Sequence, residues 1–565
     1  MRRFVVVVVL LVAAVAAVGA WRARGLPVPI GSSGAAPPVV EGVREVRVAY
    51  PVHTSRSDGT GTPASIAAAA AEAGLDAVIL TDHGDGTRAT DPPRRIGAVL
   101  VVDAAEISTW GGHYVALGAR PSPYALGGDP ASVVEDVARL GGVGIAAHPG
   151  SAKDALKWRA WDAPFDGIEW LNADTEWRDR PRDLWSAMLT YPWASTSTIV
   201  SLLNRPRFEL SRWDRASARR AVVGLAAHDA HARLGLSGVG EPYDGAVALR
   251  VPGYAAMFRA FSNTVRVPAA WGRDAATDAT ALVDAIRAGR TYAVVTGFGD
   301  VSLRRFSATS GARTAAMGEW LAPDGPVQVD VDLDVPPSAF TSLICAGTRV
   351  AGSSGGRLTW RGDTAPGACR VESARSADAD TMPWVITNPI YIRAERETGG
   401  PRPLATAGPV LPVPRSGDAA AWSIEAAPGA SASATADPAQ PRRVVARWQL
   451  GPASSTFAAL VLPTPADFAT YDRLVLRAAA NRPMRVWVQL RSPKNGGRRW
   501  GRSVFLDATP QAITLPLSSF LPMDGDGPQQ VPLVDITTLL LVADTTNARP
   551  GDAGVVTFDE WWMGR

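Results

Sequence analysis

The stretch PVHTSRSDGTGTPASIAAAAAEAGLDAVILTDH, residues 51–83, decides how the rest of this 565-residue chain is interpreted. An apolar strand leads into His53, a turn around Asp58 follows, and a second strand ends at His83. The alanine-rich stretch between them begins at Thr62, a good N-cap, and predicts a helix. The pattern predicts one βαβ unit whose polar side chains lie at strand ends, where parallel α/β folds carry their chemistry.

The histidines of the chain are few and confined to one region. There are six, at positions 53, 83, 113, 148, 228 and 231, and most of them end or follow an apolar strand. Asp58, Glu106 and Asp229 fall in the same pattern. Neutral imidazole is the commonest metal ligand, and carboxylates join it around zinc, manganese or iron. The pattern therefore predicts a metal site.

Composition excludes one class of partner and indicates the compartment. The net charge is only +3 and no basic run interrupts the sequence, so the pI of about 9.0 does not indicate nucleic-acid binding. A chain of 565 residues predicts about three domains. The two cysteines, Cys345 and Cys369, lie on separate strand-like runs and predict one disulfide, which fits an oxidising compartment.

The N-terminus has the pattern of an export signal. A basic start is followed by an apolar run from Phe4 to Val18 and by the small residues Gly19 and Ala20. The run is short for a membrane span of about 20 residues, yet the flanking Trp21 also fits an uncleaved anchor. Residues 1–25 are therefore predicted to be a signal peptide or an N-terminal anchor. The rest is predicted to be secreted, periplasmic or membrane-anchored.

Composition shifts divide the remaining chain. We predict a linker at 26–43, a barrel domain at 44–297, a small β-sandwich at 298–396, a Pro-rich linker at 397–420 and an all-β domain at 421–565. Strands are predicted at 44–50, 76–81, 97–103, 113–118, 142–147, 166–171 and 221–227. Because these strands alternate with helical stretches, they predict a closed parallel barrel.

Two aromatic features are candidate binding surfaces. The region from Trp158 to Trp213 holds tryptophans 158, 161, 170, 177, 185, 193 and 213 and is interpreted either as a lid over a substrate or as a helical cap packed on the barrel. In RVWVQLR, residues 485–491, alternate residues face opposite sides of a strand. The apolar face is predicted to be core, and the face with Arg485 and Trp487 is predicted to be able to hold a ligand.

Several ordered motifs support a family resemblance. They are VHTSRSDG (52–59), TDH (81–83), Glu106 with GHYVALG (112–118), AHPG (147–150), GIEWLN (167–172) and DAH (229–231), with RAGRTY (287–292) and TNPIYI (387–392) after them. Together they resemble the PHP (polymerase and histidinol phosphatase) metal-dependent phosphoesterases, most of all the exported carbaryl-hydrolase type. More weakly, YDRLVLRA, WGRSVFLDAT, LLLVADTTN and VTFDEWW resemble jelly-roll carbohydrate-binding modules.

This resemblance implies an α/β fold, a distorted (β/α)7 barrel followed by a small β-sandwich and a C-terminal jelly roll. It also implies a centre of two to three divalent transition-metal ions (Mn, Zn or Fe). Carried over by position, Glu106 would bridge two metals, His113 and His148 would complete one of them, Asp58, His83 and His231 would hold a third, and His53 and Asp229 would serve the remaining site. Glu106 and Asp229 are the implied catalytic residues.

The chain departs from the family pattern at its first ligand. Family members usually begin with His-x-His, whereas this chain has Pro51 two residues before His53. His228 is an additional histidine near the right place. However, Asp229 and His231 share one face of the strand, so alternation predicts that His228 points away.

The implied function is an exported metal-dependent hydrolase. It would cleave a small-molecule or glycan-linked phosphoester by a metal-bridged hydroxide. The alternatives are a carboxyl-ester or carbamate hydrolase of the same fold, or a degenerate non-catalytic barrel in a glycan-binding protein. Further expected partners are a polysaccharide and, through the N-terminus, a membrane; nucleic acid is not expected.

Overall fold

The computed structural model describes residues 2–27, 42–178, 181–233, 250–363, 366–393, 410–494, 496–523 and 530–565. Most of the linker predicted at 26–43, and the first part of that at 397–420, lie outside the described residues. The chain forms two compact units. The first comprises Met1–Gly84, Thr90–Arg120 and Val137–Gly399, and the second comprises Asp85–Ala89, Pro121–Asp136 and Gly400–Arg565. The second unit is therefore assembled from three separate segments of the chain.

The N-terminal helix is longer than the apolar run suggested. Helix α1 (Arg2–Ala23) contains an apolar stretch, Phe4–Ala23, of 20 residues with a mean hydropathy of 2.9. The helix continues through Gly19 and Ala20, where the sequence predicts the end of the apolar segment. Its length and composition suffice to cross a membrane, and a signal sequence passes the same test.

The next elements form the part of the first unit that carries the candidate ligands. Its strands are β1 (Val43–Val52), β2 (Ala77–Leu80), β3 (Arg94–Ile96), β4 (Val99–Asp103), β5 (Ala105–Thr109), β6 (Gly112–Leu117), β7 (Val143–Ala146), β8 (Gly167–Asn172), β9 (Val223–Ala227), β10 (Ser262–Pro268) and β11 (Thr291–Val294). Its helices are α2 (Pro63–Glu72), α4 (Ala173–Arg178), α5 (Pro181–Thr190), α6 (Ser195–Leu202), α7 (Arg207–Ser217), α8 (Tyr254–Ala260) and α9 (Ala275–Arg287). Helix α3 (Pro130–Arg139) belongs to the second unit up to Asp136 and to the first unit from Val137. The N-cap predicted for α2 is confirmed, because Thr62 and Ser65 form a capping box.

Two sheets bring the candidate ligands together. One includes the order β11-β10-β1-β2-β4-β3, and the other has the order β5-β6-β7-β8-β9. β1, β2 and β4 pair in parallel, as do β7, β8 and β9. Isolated bridges join Val52 to Ala230 and His83 to Glu106, so the ends of these strands meet. Alternate residues of both sheets share one buried core.

The helices do not follow every strand. α2 lies between β1 and β2, and α3 lies between β6 and β7, whereas β2 to β4 and β7 to β8 are joined without a helix. The unit is a mixed α/β structure. In the part of the chain that is described, the regular helix-after-strand alternation predicted from the sequence is only partly present.

The predicted boundary at 297/298 falls inside a continuous sheet. The following strands are β12 (Ser302–Ser310), β13 (Arg313–Ala316), β14 (Trp320–Leu321), β15 (Val327–Asp334), β16 (Phe340–Cys345), β17 (Thr348–Ser354), β18 (Arg357–Gly362), β19 (Gly367–Ala374), β20 (Pro383–Thr387) and β21 (Ile390–Ile392). β20 pairs with β11, which extends the first sheet to ten strands. This pairing joins 298–393 to the first unit, while most of the buried residues of this segment form a core cluster of their own. The predicted disulfide between Cys345 and Cys369 is confirmed, and it joins β16 to β19.

The second unit is built on two antiparallel sheets around one core. Its strands are β22 (Val410–Pro412), β23 (Ser423–Ala426), β24 (Ser431–Ala436), β25 (Val444–Gln449), β26 (Phe457–Pro463), β27 (Arg473–Ala480), β28 (Met484–Arg491), β29 (Arg499–Leu506), β30 (Gln511–Pro516), β31 (Leu521–Pro522), β32 (Thr538–Asp544), β33 (Ala553–Phe558) and β34 (Trp562–Gly564). One sheet has seven strands and the other has six. Because β22 pairs with β34 and Val413 lies in the core, the domain begins at 410 rather than 421.

Candidate metal centre

The end of β1 breaks the regular alternation of the strand. Tyr50 lies in the buried core with the alternate residues before it. The pairing with β2 then shifts register between Ala49 and Val52. Such a bulge changes which side chains face a given side. The N–H of His53 donates to the carbonyl of Ala230 at 3.0 Å, which fixes the first ligand beside the turn that follows β9.

The turn after His53 is held by a buried carboxylate. Asp82 accepts hydrogen bonds from the N–H of Thr54 at 2.8 Å, the hydroxyl of Thr54 at 2.7 Å and the hydroxyl of Ser57 at 2.6 Å. The hydroxyl of Tyr254 donates to the carbonyl of His53 at 2.8 Å. These bonds fix the backbone that carries the first two predicted ligands.

Asp58 lies among three imidazoles. Its carboxylate is 3.5 Å from Nδ1 of His53, 3.6 Å from Nε2 of His83 and 3.2 Å from Nε2 of His231. The rings of His53 and His231 stack with their centroids 4.2 Å apart. One ligand atom from each of the four residues lies within 4.8 Å of the others, so together they can surround a single cation.

Glu106 is the central carboxylate of the cluster. Its Oε1 lies 2.6 Å from Nδ1 of His113 and 3.0 Å from Nε2 of His148, and its Oε2 lies 3.1 Å from Nε2 of His53. Asp229 is 3.2 Å from the same His53 nitrogen and 3.4 Å from Nδ1 of His148. Two further sets of neighbouring ligand atoms share Glu106: His83, Glu106 and His113, and His53, Glu106 and Asp229. All eight predicted ligands therefore lie in one connected group, with His148 beside these sets.

Unsatisfied polar atoms in the cluster indicate that it suits a cation. Both ring nitrogens of His53, Oε2 of Glu106 and Oδ1 of Asp229 are buried without a hydrogen bond, although they approach one another to 3.1–3.2 Å. Buried polar atoms without partners are costly, and a bound cation would satisfy them. Imidazole and carboxylate together suit zinc, manganese or iron. The residues thus fit divalent transition-metal ions.

The cluster shifts the pKa values of its members in opposite directions. Burial alone would raise the pKa of Glu106, but hydrogen bonds with His113 and His148 and the close approach of His53 bring it well below its ordinary value. Burial would lower the pKa of His148, but the charge of Asp229 and the hydrogen bond with Glu106 raise it to about 10. Similarly, Asp229 and Glu106 raise the pKa of His53 against the effect of burial. Without metal, these shifts favour ionised carboxylates balanced by positively charged imidazoles.

We expect metal binding to release protons and to strengthen as the pH rises. The raised pKa values of His53 and His148 favour the protonated imidazoles in the metal-free protein, whereas coordination requires neutral imidazole. Because protons and metal compete, the apparent affinity for Mn²⁺ should rise about tenfold or more per pH unit between about pH 6 and 8. Calorimetric titration in buffers of different ionisation enthalpy measures the released protons. An affinity independent of pH would contradict this electrostatic description.

Three residues of the site have left-handed backbone conformations. The φ angles of His148, Asp229 and Ala232 are 47°, 50° and 48°. Non-glycine residues in this region each cost about 1–3 kcal/mol and persist only where the surroundings enforce them. The conformation lets the chain leave β7 and β9 sharply, so that His148 and Asp229 reach the cluster.

Sequence reasoning assigned no role to Glu169 and Asn172, although both belong to the GIEWLN motif. Buried Glu169 accepts from the N–H of His148 at 3.0 Å, from Nδ2 of Asn172 at 2.9 Å and from the hydroxyl of Tyr50 at 3.3 Å. Burial raises its pKa to about 7 despite the opposing effect of His148. Asn172 Nδ2 also lies 3.2 Å from Nδ1 of His148. These residues orient His148. In the sequence, Glu169 could have been noticed as a charged residue inside an otherwise apolar strand.

The structure places Pro51 and His228 outside the ligand group. Tyr50 continues the core-facing alternation of Val46 and Val48, so Pro51 lies on the opposite face of β1. Nε2–H of His228 donates to the carbonyl of Phe261 at 2.8 Å, and its Nδ1 accepts from the N–H of Tyr50 at 3.3 Å. Burial lowers the pKa of His228 to about 4. His228 thus points away, as alternation predicts, and does not replace the missing family ligand.

The tryptophan-rich region has features of both predictions, a packed helical cap and a lid with exposed aromatic side chains. Trp158, Trp170 and Trp213 are buried, as expected for a packed cap. Trp185 and Trp193 are 74% and 54% exposed, as expected for a surface that meets another molecule. The region contributes α4, α5, α6 and α7 to the first unit.

The ligand-binding face predicted for β28 is covered. Arg485, Trp487 and Gln489 are only 4%, 1% and 1% exposed. Within the second unit, Arg485 donates to both carboxylate oxygens of Asp136 at 2.7 Å, and Arg502 donates to Asp129 at 2.5 Å. The segment 121–136 therefore occupies this face, and the prediction of an open binding surface there is wrong.

Comparisons with known proteins show that part of this chain is similar to solved structures of carbohydrate-binding modules. No family model matches the chain, and no curated protein sequence matches it. Among solved structures, the family 11 carbohydrate-binding module of a cellulosomal cellulase of Clostridium thermocellum is 16% identical, with a TM-score of 0.22, covering 26% of this chain and 88% of its own. A family 30 carbohydrate-binding module is 11% identical, with a TM-score of 0.18, covering 23% and 80%. Likeness at this level carries no argument about ligands.

Proposed function

We propose that the chain is an exported metal-dependent hydrolase of the PHP type that cleaves a phosphoester. The observation that carries the proposal is the convergence of His53, His113 and His148 on buried Glu106, with Asp229 in the same cluster. Buried carboxylates and imidazoles with unsatisfied atoms are expensive unless a cation joins them. A cluster of this kind is typical of a metal-dependent active site rather than of a structural core.

The proposal includes a distorted seven-stranded barrel. Its support is the connection of the strands in a ring, through the bridge from Val52 to Ala230 at one junction and the bridge from His83 to Glu106 at another. β4 runs into β5 with only Ala104 between them, so these two strands would count as one strand of the barrel. The ligands then lie at one end of the barrel, where parallel barrels carry their active sites.

The residues that would hold the metals are the eight predicted ligands. One ion would use Asp58, His83 and His231, and the others would share Glu106 with His53, His113, His148 and Asp229. When bound, divalent ions would supply positive charge that stabilises a phosphoryl oxygen and lowers the pKa of water. Asn172 and Glu169 would keep His148 in its orientation.

A nearby arginine favours a phosphoester over a carboxyl ester or carbamate. Arg233 lines a small pocket together with Asp229, His231 and Asp174. A guanidinium binds phosphate oxygens through paired hydrogen bonds, and a neutral ester needs no such group. Arg233 would therefore bind and orient the substrate phosphate, while Asp229 accepts or holds a proton at its carboxylate.

The glycan-binding alternative would need a different surface. The face of β28 that sequence reasoning assigned to a ligand is buried by segment 121–136 of the same unit. A polysaccharide partner remains part of the proposal only through other exposed surfaces of the second unit.

We expect protein purified without chelator to carry about two transition-metal ions per chain. Chelation should abolish hydrolysis of bis(p-nitrophenyl) phosphate, and added Mn²⁺ should restore it. Elemental analysis and the release of p-nitrophenol provide the two measurements. Less than about half an equivalent of metal after reconstitution with manganese, zinc and iron would rule out the enzyme proposal.

A further inference from the structure

An apolar pocket lies in the first unit among α5, α6 and the start of α8. About 550 Å³ of space lies between its walls, part of which is open solvent. Residues of its wall include Leu184, Ala187, Tyr191, Thr198, Pro252 and Met257. Because the pocket is partly open to solvent, a ligand group can lie along its apolar wall.

The few polar groups of the wall have partners in the protein. The hydroxyl of Tyr191 accepts from the N–H of Gly253 at 2.8 Å. The hydroxyl of Thr198 donates to the hydroxyl of Thr190 at 2.9 Å. The other wall residues are aliphatic, so the pocket presents hydrocarbon to its contents. Such a wall selects an apolar ligand group.

The pocket adjoins the candidate metal centre through two shared residues. Pro252 and Met257 also line the small pocket that is bounded by Asp229, His231 and Arg233. If the charged group of a ligand lies at Asp229, His231 and Arg233, the rest of the ligand can lie against the apolar wall. The two adjoining surfaces therefore fit a molecule with one charged end and one hydrocarbon end.

The N-terminal helix lies against the same group of helices. A Cβ atom at Gly19 of α1 would clash with the carbonyl of Leu189, so the backbones approach closely there. Beside this contact, Trp185, Met188 and Trp193 are 74%, 49% and 54% exposed. Exposed tryptophans near the end of a membrane helix are typical of the membrane–water interface. This places the pocket wall close to where α1 would leave a bilayer.

We propose that the substrate is an amphiphilic phosphoester, with its hydrocarbon chain in the apolar pocket and its phosphate at Asp229, His231 and Arg233. The inference rests on the proposed function for the phosphoester chemistry. In the hydrolysis, the oxygen of water bonds to phosphorus and the P–O bond to the alcohol breaks. The alcohol leaves with one proton, and the phosphate product keeps the other oxygen–phosphorus bonds.

Binding of alkylphosphonates to the full-length protein tests the pocket without catalysis, because their P–C bond resists hydrolysis. From methyl- to hexyl- to decylphosphonate, the dissociation constant should fall about threefold to fourfold per buried methylene. Calorimetry measures this on metal-free and on Mn²⁺-loaded protein. Affinity independent of chain length in both forms would overturn the proposal.

Substitutions in and beside the pocket locate the binding. Ala187→Phe should remove the chain-length dependence by filling the space, and Ser186→Phe, an exposed change on the same helix, should leave it intact. If Ala187→Phe does not fold, Leu184→Asn should instead weaken decylphosphonate about tenfold while methylphosphonate binds as before. Equal behaviour of the pocket variants and the Ser186 control would contradict the proposed location.

Hydrolysis distinguishes the source of the amphiphile. Full-length protein is assayed with phosphatidic acid in phosphatidylcholine vesicles and with monomeric dihexanoyl phosphatidic acid. Faster release from vesicles assigns the substrate to the bilayer, and faster release from the monomer assigns it to a soluble amphiphile. Chain-dependent binding without any hydrolysis would contradict the proposed function alone. Hydrolysis of bis(p-nitrophenyl) phosphate without chain-dependent binding would contradict this inference alone.

Discussion

Glu106→Gln should remove about one metal ion per chain and lower phosphodiester hydrolysis at least about 100-fold. The substitution keeps the shape of the side chain and removes the charge that three imidazoles share. The amide also replaces one acceptor oxygen by an N–H₂ donor, which cannot coordinate a cation. Because Glu106 belongs to two of the three ligand sets and is the carboxylate that three imidazoles approach, its substitution should have a large effect.

The measurements are metal content by elemental analysis and turnover of bis(p-nitrophenyl) phosphate, with circular dichroism to check folding. His228→Asn is the matched control, since His228 is buried nearby but bonds only the backbone of Tyr50 and Phe261 in the described contacts. It should keep its metal. Loss of metal in His228→Asn with retention in Glu106→Gln would mean that the ligand assignment is wrong.

Arg485→Met should lower the free energy of unfolding of the second unit by about 3–5 kcal/mol. The guanidinium is buried and makes a bidentate pair with Asp136, a further bond of 2.9 Å to Glu135 and one of 3.1 Å to the carbonyl of Ser132. Methionine fills similar space but leaves the buried carboxylate of Asp136 without its counter-charge. Urea unfolding followed by fluorescence measures the loss.

Two further variants separate charge from packing. Arg447→Met removes an exposed arginine of β25 and should change stability by no more than about 0.5 kcal/mol. Adding Asp136→Asn to Arg485→Met should recover part of the loss, because the uncompensated charge is gone. If Arg485→Met is no more destabilising than Arg447→Met, segment 121–136 does not stabilise this unit.

The candidate ligands could be predicted because their signal is local. His83, His148 and Asp229 each follow a short apolar strand, and parallel strand ends converge whatever the details of the loops. The bulge after Ala49 could not be predicted, since a one-residue shift leaves the pattern of apolar residues unchanged.

The burial of β28 could not be predicted because its cause is far away in sequence. Arg485 and Gln489 alternate with apolar residues, a pattern that normally indicates a solvent-facing side. The partner of Arg485 is Asp136, which is 349 positions away. The local sequence pattern is the same for a charged residue that pairs with a distant counter-charge and for one that faces water. Glu169 was overlooked for a related reason, because its role depends on the backbone of His148.

The three-segment assembly of the second unit has a consequence for how the chain folds. During synthesis, residues 121–136 emerge long before β28, so Asp136 and Asp129 have no arginine partners until most of the chain exists. Closing such a large loop delays the contact, since non-local contacts form slowly. The second unit is therefore completed only after its C-terminal strands have been synthesised. A chain truncated after 393 would leave segment 121–136 without its arginine partners in β28 and β29. A fragment starting at 410 would lack segment 121–136, which covers one face of its sheet.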